Sequence, residues 1–586
     1  MPRSIAQRPA ALKRPCAPAE AAGVCYNGAH ETLWKRNGKE SGGMDGQGMK
    51  RRGIWAAACA AALAAGAAEP LRPTPNYWCT WATQGATLRE NLAAGKIRCP
   101  VDEDTKSQRD NLNERVLFDE TGWANVMYPH VRAGLYLLAD AGWDIPEGSA
   151  STGDDLSLRG ACVPDAGRFP SFRGTPAQRL KAFSDAVKAR GWKGLAVWVP
   201  CHVYGDKPDW RARLSDDAAR RVLAERMAIC REAGVDYWKV DWGFRNGARE
   251  PAFRRLMTEV RDRVFPGLRL EHCRLPGGPF NGVVIDKKTG AVSGPGRFVG
   301  NPLWDGRRGE VAEVMAVSDV FRTYDVIGPF DHVTTLERCA YYSPIAEAAR
   351  LPVLLNVEDA PLVAMGLGHV VGAMATDWRR GVCVTNDVYT ALAWQELAAP
   401  FGHDTGATTR TSDEILEDCW TYAAHDCSWY VVAAGKTIVQ RAPAVVTRGL
   451  PLPEVRAAGP KPFVCGVRHP NGAVALAFLP RVTGGRRAVV CPADVTLDAA
   501  LAPGRPLGLF GRFRSVTLTG GAPEGARIWT RRLSDGARCD VTARCTRNAA
   551  GALVIPAEVL EKTPPSVTPY VVLEVVVGAA GDGAQR

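Results

Sequence analysis

The chain is predicted to fold as a (β/α)8 barrel followed by an antiparallel β-sandwich. Three observations carry this: eight short apolar runs between about residues 76 and 430, helical stretches alternating with them, and a change of texture after about residue 430. At 586 residues the chain exceeds what one core supports, so at least two domains are expected.

The strand candidates are Tyr77–Thr83, Leu135–Asp140, Leu195–Pro200, Tyr237–Gly243, Leu268–Cys273, Val320–Val326, Val353–Glu358 and Leu392–Ala399. The intervening helices are well punctuated. Thr175-Pro176-Ala177-Gln178 has the residues of an N-cap, an N1 proline and a capping-box glutamine. Leu180, Phe183 and Val187 share one face, and Gly191 is placed to end the helix. Ser215 precedes the next helix with Asp216 and Asp217 in its first turn. The stripe of that helix is Leu223, Met227 and Cys230, and Gly234 closes it. Beyond 430, Pro and Gly thicken across 442–462. Short strands are expected at Ala473–Leu479, after the turn signal His469-Pro470-Asn471-Gly472, and at Arg487–Cys491, Ser515–Thr519 and Tyr570–Val577.

The formal net charge of +11 is uneven. Residues 1–52 hold ten Lys/Arg against four Asp/Glu, a surplus of +6 that leaves +5 for the rest. So small a surplus, with no basic patch interleaved with aromatics, gives no footprint for nucleic acid. Met49-Lys50-Arg51-Arg52, the alanine-rich run to Ala68 and the Ala65-Gly66-Ala67 pattern read as a signal peptide over 49–68, directing the chain to the periplasm or the exterior. The apolar run is too short for a permanent membrane span. Residues 1–48 are then sequence translated ahead of the true start, or a disordered arm. The barrel is expected over 69–430 and the sandwich over 431–586. Beyond the leader, fourteen cysteines remain, an even number that an exported protein can pair. They form no CxxC or Cys/His pattern, so no metal is expected. The seventeen tryptophans suit either sugar platforms or ordinary cores.

The strongest local signal is Gly234-Val235-Asp236-Tyr237-Trp238-Lys239-Val240-Asp241-Trp242-Gly243. An unpaired charge is costly inside an apolar strand, so Asp241 belongs at the C-terminal end, where barrels build their sites. Alternation points Lys239 to the same face, and a cation there keeps a carboxylate ionised, as a nucleophile requires. A strand-end Asp that merely caps the next helix fits this spacing equally well.

The stretch resembles the KxD nucleophile strand of the melibiase-type α-galactosidases (glycoside hydrolase families 27 and 36), and the likeness continues in order over roughly 350 residues. Leu138-Ala139-Asp140-Ala141-Gly142-Trp143 resembles the family's Asp-Asp-Gly/Cys-Trp strand. Arg322-Thr323-Tyr324-Asp325-Val326 resembles the strand with the arginine and the acid/base. Asn356-Val357-Glu358-Asp359 stands where the family has Asn-Asp-Pro-Asp, and Thr390–Pro400 resembles its last barrel strand. The resemblance implies Asp241 as nucleophile and Asp325 as acid/base. Lys239, Arg322, Glu271, Asp359 and, on the C4/C6 side, Asp140 become sugar ligands. Trp81, Trp143 and Trp198 are candidate pocket walls, a role for which ordinary packing is an equal alternative.

Two departures stand out. Ala141 replaces the second aspartate, and the Arg322-to-Asp325 spacing is one residue shorter than in the family, which keeps Asp319 as runner-up acid/base. The implied activity is retaining, exo-acting removal of terminal α-linked galactose from oligo- or polysaccharides, with no cofactor. Alternatives are the same chemistry on an α-N-acetylgalactosaminide or β-L-arabinopyranoside, or an inactive barrel that binds carbohydrate.

Overall fold

The computed structural model describes the chain from Thr74 to Val576 except residues 85–107, 150–159, 204–214, 242–249, 273–281, 286–291, 294–307, 324–330, 375–382, 403–410, 413–418, 424–436, 442–444, 460, 480, 483–487, 490–491 and 562–569. The leader over 49–68 and Asp325 lie outside the described residues.

Eight parallel strands close into a barrel: β1 (Tyr77–Cys79), β2 (Tyr136–Ala139), β3 (Gly194–Pro200), β4 (Tyr237–Asp241), β5 (Arg269–His272), β6 (Val320–Arg322), β7 (Leu354–Glu358) and β8 (Val370–Ala373). The ring closes where Tyr77 and Trp78 of β1 pair with Gly372 and Ala373 of β8. Helices α1 (Pro176–Lys188), α2 (Asp216–Ala233), α3 (Glu250–Val264), α4 (Arg308–Met315), α5 (Asp331–Ala348), α6 (Pro361–Leu367) and α7 (Cys383–Leu397) accompany the strands. The Thr175–Gln178 capping box forms, Ser215 caps α2, and Gly234 ends α2 in the left-handed conformation that glycine adopts without strain.

Seven strands follow the sequence reading; the eighth does not. Leu392–Ala399 falls largely within α7, whose buried Val388, Ala391 and Trp394 recur at helical spacing. The strand is instead the four-residue run Val370-Val371-Gly372-Ala373, set off from α6 by Gly368 in the left-handed conformation.

Period-two alternation divides the strand residues cleanly. Trp78, Leu137, Ala139, Leu195, Val197, Val199, Trp238, Val240, Leu270, Val357 and Val371 join the apolar layer beneath the helices. Tyr77, Cys79, Tyr136, Leu138, Ala196, Trp198, Tyr237, Val320 and Leu354 fill the interior. Each fully buried Leu, Phe or Val in the outer layer contributes roughly 1.5–3 kcal/mol.

The C-terminal region forms a seven-stranded and a five-stranded sheet around a second core that includes Leu476, Phe478, Val495 and Val516. Pairing is antiparallel except between Val445–Arg448 and Phe463–Arg468, Val474–Leu479 and Leu507–Phe510, and Ala493–Leu497 and Phe513–Leu518. Both faces of the larger sheet are covered. Val474, Leu476 and Phe478 face the smaller sheet, while Ala475, Ala477 and Leu479 join the barrel's apolar layer. Gly366 of α6 lies so close that a Cβ there would sit 2.5 Å from Cys465 Cβ and 2.8 Å from Ala477 Cβ. A smaller sheet pairs strands Cys419–Ala423 and Thr437–Arg441 with Gly282–Ile285, a segment between β5 and β6.

Candidate active site

Every second residue on the strands points inward, and toward the C-terminal ends these positions turn from apolar to charged. On β4 they are Tyr237, Lys239 and Asp241; on β7, Leu354, Asn356 and Glu358; on β5 and β6, Glu271 and Arg322.

Asp241 closes β4 at the mouth. Trp198 Nε1 donates to its Oδ2 at 3.1 Å, and the Arg322 guanidinium lies 3.1 Å from Oδ1. Both oxygens are therefore held, by groups on the two sides of β4. The Asp241 side chain is 18% exposed while that of Arg322 is 1% exposed, so the carboxylate is reachable and its partner is not. This is an oriented, charge-paired carboxylate at the end of the barrel where barrel enzymes do chemistry.

Lys239 shares the inward face of β4 with Asp241 and reaches across the barrel to β2. Its Nζ contacts Asp140 Oδ2 at 2.8 Å, with Glu358 Oε1 at 3.9 Å and Cys79 Sγ at 3.7 Å. Asp140, just past β2, also accepts the Cys79 thiol at 3.0 Å and the Ala141 N–H at 2.8 Å. Burial and the Asp140 charge push the Cys79 thiol well up, which keeps it a donor.

Glu271, in register with Lys239 across the β4–β5 ladder, is fully buried. Tyr237 Oη donates to its Oε2 at 2.6 Å, Asn356 Nδ2 donates to the same oxygen at 2.8 Å, and Tyr77 Oη lies 3.1 Å from Oε1. With these neighbours on both oxygens, Glu271 has the setting of a floor residue and not of a sugar ligand. Burial pushes its carboxyl up to about 7, against the downward pull of Tyr237, Asn356, Lys239 and Tyr77.

Asp319, the runner-up acid/base, precedes β6 at the opposite end of the barrel. Its Oδ2 accepts Arg261 at 2.5 Å and the Leu270 N–H at 2.8 Å. It ties α3 to the bottom of the barrel and stands away from Asp241. Trp143 is not a pocket wall: it is fully buried in the layer beneath the helices, near Phe183, and its Nε1 donates to Trp198 O at 3.2 Å. Trp198 and Trp81 belong to the inner cluster, together with Ala141 and Met374. Asp359 follows β7 in a left-handed backbone conformation, and its Oδ1 accepts the Met374 N–H at 2.6 Å, anchoring the end of β8.

Sequence reasoning gave no site role to Tyr77, Cys79, Tyr237, Asn356 or Glu358, although it singled out the segment that holds the last two. The period-two spacing Leu354-Asn356-Glu358 was the available signal for the last two. For the tyrosines there was none, since Tyr is an ordinary strand residue. Gly372 makes room for this network: a Cβ there would lie 2.7 Å from Glu358 Cγ and 2.9 Å from both Asn356 Oδ1 and Tyr77 Cε2.

Among the described residues no group of three or more His, Cys, Asp or Glu side chains could hold a metal ion, and no helix is long and apolar enough to cross a membrane. Cys79, Cys162, Cys201, Cys230, Cys339, Cys465, Cys539 and Cys545 are free thiols.

No protein-family model matches the chain, and no curated protein does. Solved structures do match it. A Bacteroides fragilis protein provisionally named an α-galactosidase is 11% identical, with a TM-score of 0.40, over 86% of this chain and 79% of that one. A family 27 β-L-arabinopyranosidase from Geobacillus stearothermophilus is 10% identical, with a TM-score of 0.39, over 88% and 98%. An α-L-fucosidase from Paenibacillus thiaminolyticus is 12% identical, with a TM-score of 0.32, over 86% and 97%. At these values the barrel rests on its own strand ladder.

Proposed function

We propose that this chain is a retaining glycoside hydrolase that removes terminal α-linked galactose, with Asp241 as nucleophile. The observation that carries the reading is the setting of Asp241. It is the accessible carboxylate at the C-terminal end of β4, held through both oxygens by Trp198 and Arg322. Held in this way, it is paired with a cation and aimed, as double displacement requires.

In the proposed reaction an Asp241 oxygen forms a bond to the anomeric carbon as the glycosidic C–O bond breaks. Asp325 gives its proton to the departing oxygen. Asp325 then takes a proton from water, whose oxygen displaces Asp241 and releases the sugar with its configuration retained. The two carboxyl groups need to stand about 5 Å apart. Lys239 and Asp140 form a buried, charge-assisted pair suited to gripping hydroxyls on the far side of the sugar. Carbohydrate is the partner, and the signal-like segment over 49–68 supports an exported enzyme.

One observation favours a second sugar. The second carboxylate missing at Ala141 is not replaced by Asp144, which is buried and accepts the Gly160 N–H through Oδ2. A β-L-arabinopyranoside lacks the hydroxymethyl group of galactose and needs less from that position. A panel of nitrophenyl glycosides decides the sugar, and Asp241→Asn decides the nucleophile. The variant should lose at least about three orders of magnitude in kcat while keeping its fold. Asp325→Ala should lose less on substrates with good leaving groups, which need little protonation. Near-normal turnover by Asp241→Asn removes the assignment.

A further inference from the structure

Tyr77 Oη lies 3.1 Å from Glu271 Oε1 and also within hydrogen-bond reach of Glu358 Oε1. A phenol has one hydrogen to give. If both carboxyls were ionised, one of these contacts would set lone pair against lone pair, in a site where Tyr77, Glu271 and Glu358 are all fully buried. The other side of Glu271 supplies no relief, because Tyr237 and Asn356 both donate to Oε2. One extra hydrogen on either carboxyl resolves the conflict; the Lys239 cation 3.9 Å from Glu358 Oε1 is best faced by a charged Glu358, which leaves the hydrogen to Glu271 Oε1.

We propose that Glu271 retains its proton and donates it to Tyr77, whose own hydrogen goes to Glu358, forming a one-way chain that keeps Lys239 on Asp140. Glu271, Tyr77 and Glu358 are thus positioning residues for the sugar-gripping pair, a role that rests on the glycosidase reading above. Each hydrogen then has one acceptor. Glu271 O–H points to Tyr77, Tyr77 O–H to Glu358, and Tyr237 O–H and Asn356 N–H to the Glu271 carbonyl oxygen.

The groups facing Glu271 from the packed strands, among the described residues, are Tyr77 of β1, Tyr237 and Lys239 of β4, and Asn356 of β7, with Glu358 on the other side of Tyr77. The Tyr77 and Tyr237 phenols are pushed well up by burial and by Glu271, so neither competes to release a proton first. Burial likewise raises Glu271 to about 7. Above that pH Glu271 ionises and competes for the single Tyr77 hydrogen. Glu358 then shares the Tyr77 hydrogen, and Lys239, 3.9 Å from Glu358 Oε1, is drawn toward it from Asp140, now 2.8 Å away.

Two readouts test this. In the infrared, at pH 6, exposed carboxyls are ionised. The wild-type protein should still show the carbonyl stretch of a protonated acid, fading as the pH rises through 7 and missing in Glu271→Gln. Absence of that band in the wild type, or its persistence in the variant, overturns the proposal. This arm needs no turnover, so a protein that shows the band but cleaves no glycoside refutes the glycosidase reading and leaves the proton in place. In kinetics, the wild-type KM for the best nitrophenyl glycoside should rise about tenfold between pH 6 and pH 8, the worth of one charge-assisted hydrogen bond, with kcat changing less. Glu271→Gln, whose amide donates to Tyr77 at any pH, should hold KM flat. Tyr77→Phe, which keeps the ring and cuts the chain, should show at pH 6 the KM that the wild type shows at pH 8. A Tyr77→Phe protein with wild-type pH dependence overturns the proposal even if Glu271→Gln misfolds.

Discussion

Replacing Lys239 with methionine keeps the aliphatic stem and deletes the charge that faces Asp140 at 2.8 Å, with both side chains no more than 4% exposed. Breaking a buried pair by removing one partner costs about 3–5 kcal/mol, because the other charge stays behind unpaid by solvent. Asp140 keeps two donors, the Cys79 thiol at 3.0 Å and the Ala141 N–H at 2.8 Å, so the low end applies, about 3 kcal/mol. For a barrel of about 350 residues that corresponds to a fall in Tm on the order of 3–5 °C. Adding Asp140→Asn removes the stranded charge, and the double variant should recover more than half of the loss. The assay is thermal unfolding of the wild type, both single variants and the double variant at pH 7, read as a double-mutant cycle. A Lys239→Met protein within about 1 kcal/mol of the wild type, or additive single losses, would refute the reasoning.

Three further outcomes follow from other parts of the molecule. His469 lies 3.1 Å from Ala399 O, and burial above all, with Arg448 adding to it, pulls its ring down to about 4. Between pH 6.5 and 4 the unfolded chain binds a proton that the folded chain refuses. Stability present above pH 6.5 should therefore fall by about 3 kcal/mol as the pH drops through that window, and His469→Gln should show a shallower decline in chemical denaturation. Gly372→Ala puts a methyl 2.7 Å from Glu358 Cγ, so about 1–3 kcal/mol of stability should be lost and KM for the glycoside should rise, measured by urea unfolding and steady-state kinetics. Asp319→Ala should leave kcat within a few-fold of the wild type and cost about 1 kcal/mol or less, since the pair with Arg261 is partly exposed; a collapse of kcat would return Asp319 to the site.

The barrel was legible because its strands are apolar on both faces and its helices carry caps and stripes at helical spacing. Thr175, Ser215 and Gly234 do what their sequence positions predict. The eighth strand was not legible. Val370–Ala373 is four residues long and contains a glycine, which ordinarily weakens a strand but here clears space for Glu358, Asn356 and Tyr77. α7 hid its identity because its apolar residues are not confined to one stripe, so Leu392–Ala399 read as a buried strand. At the site, the i and i+2 positions of β4 already aligned Lys239 with Asp241, but which carboxylate the lysine meets depends on β2, a hundred residues away in the chain, and on the barrel's stagger. Glu271 shows the same limit from the other side. Its strand-end position suggested the rim, and only the tyrosines of β1 and β4 reveal that it belongs to the floor.

The central claim is that Asp241 forms the covalent bond to the sugar, and a trapped intermediate tests it most directly. The protein is incubated with a fluoroglycosyl donor that forms the glycosyl-enzyme quickly and hydrolyses slowly, then digested and mapped by mass spectrometry. The account predicts one added glycosyl group, on the peptide containing Asp241 and on that residue, with none in Asp241→Asn. A label on another carboxylate, or turnover of the donor by Asp241→Asn at the wild-type rate, would contradict it.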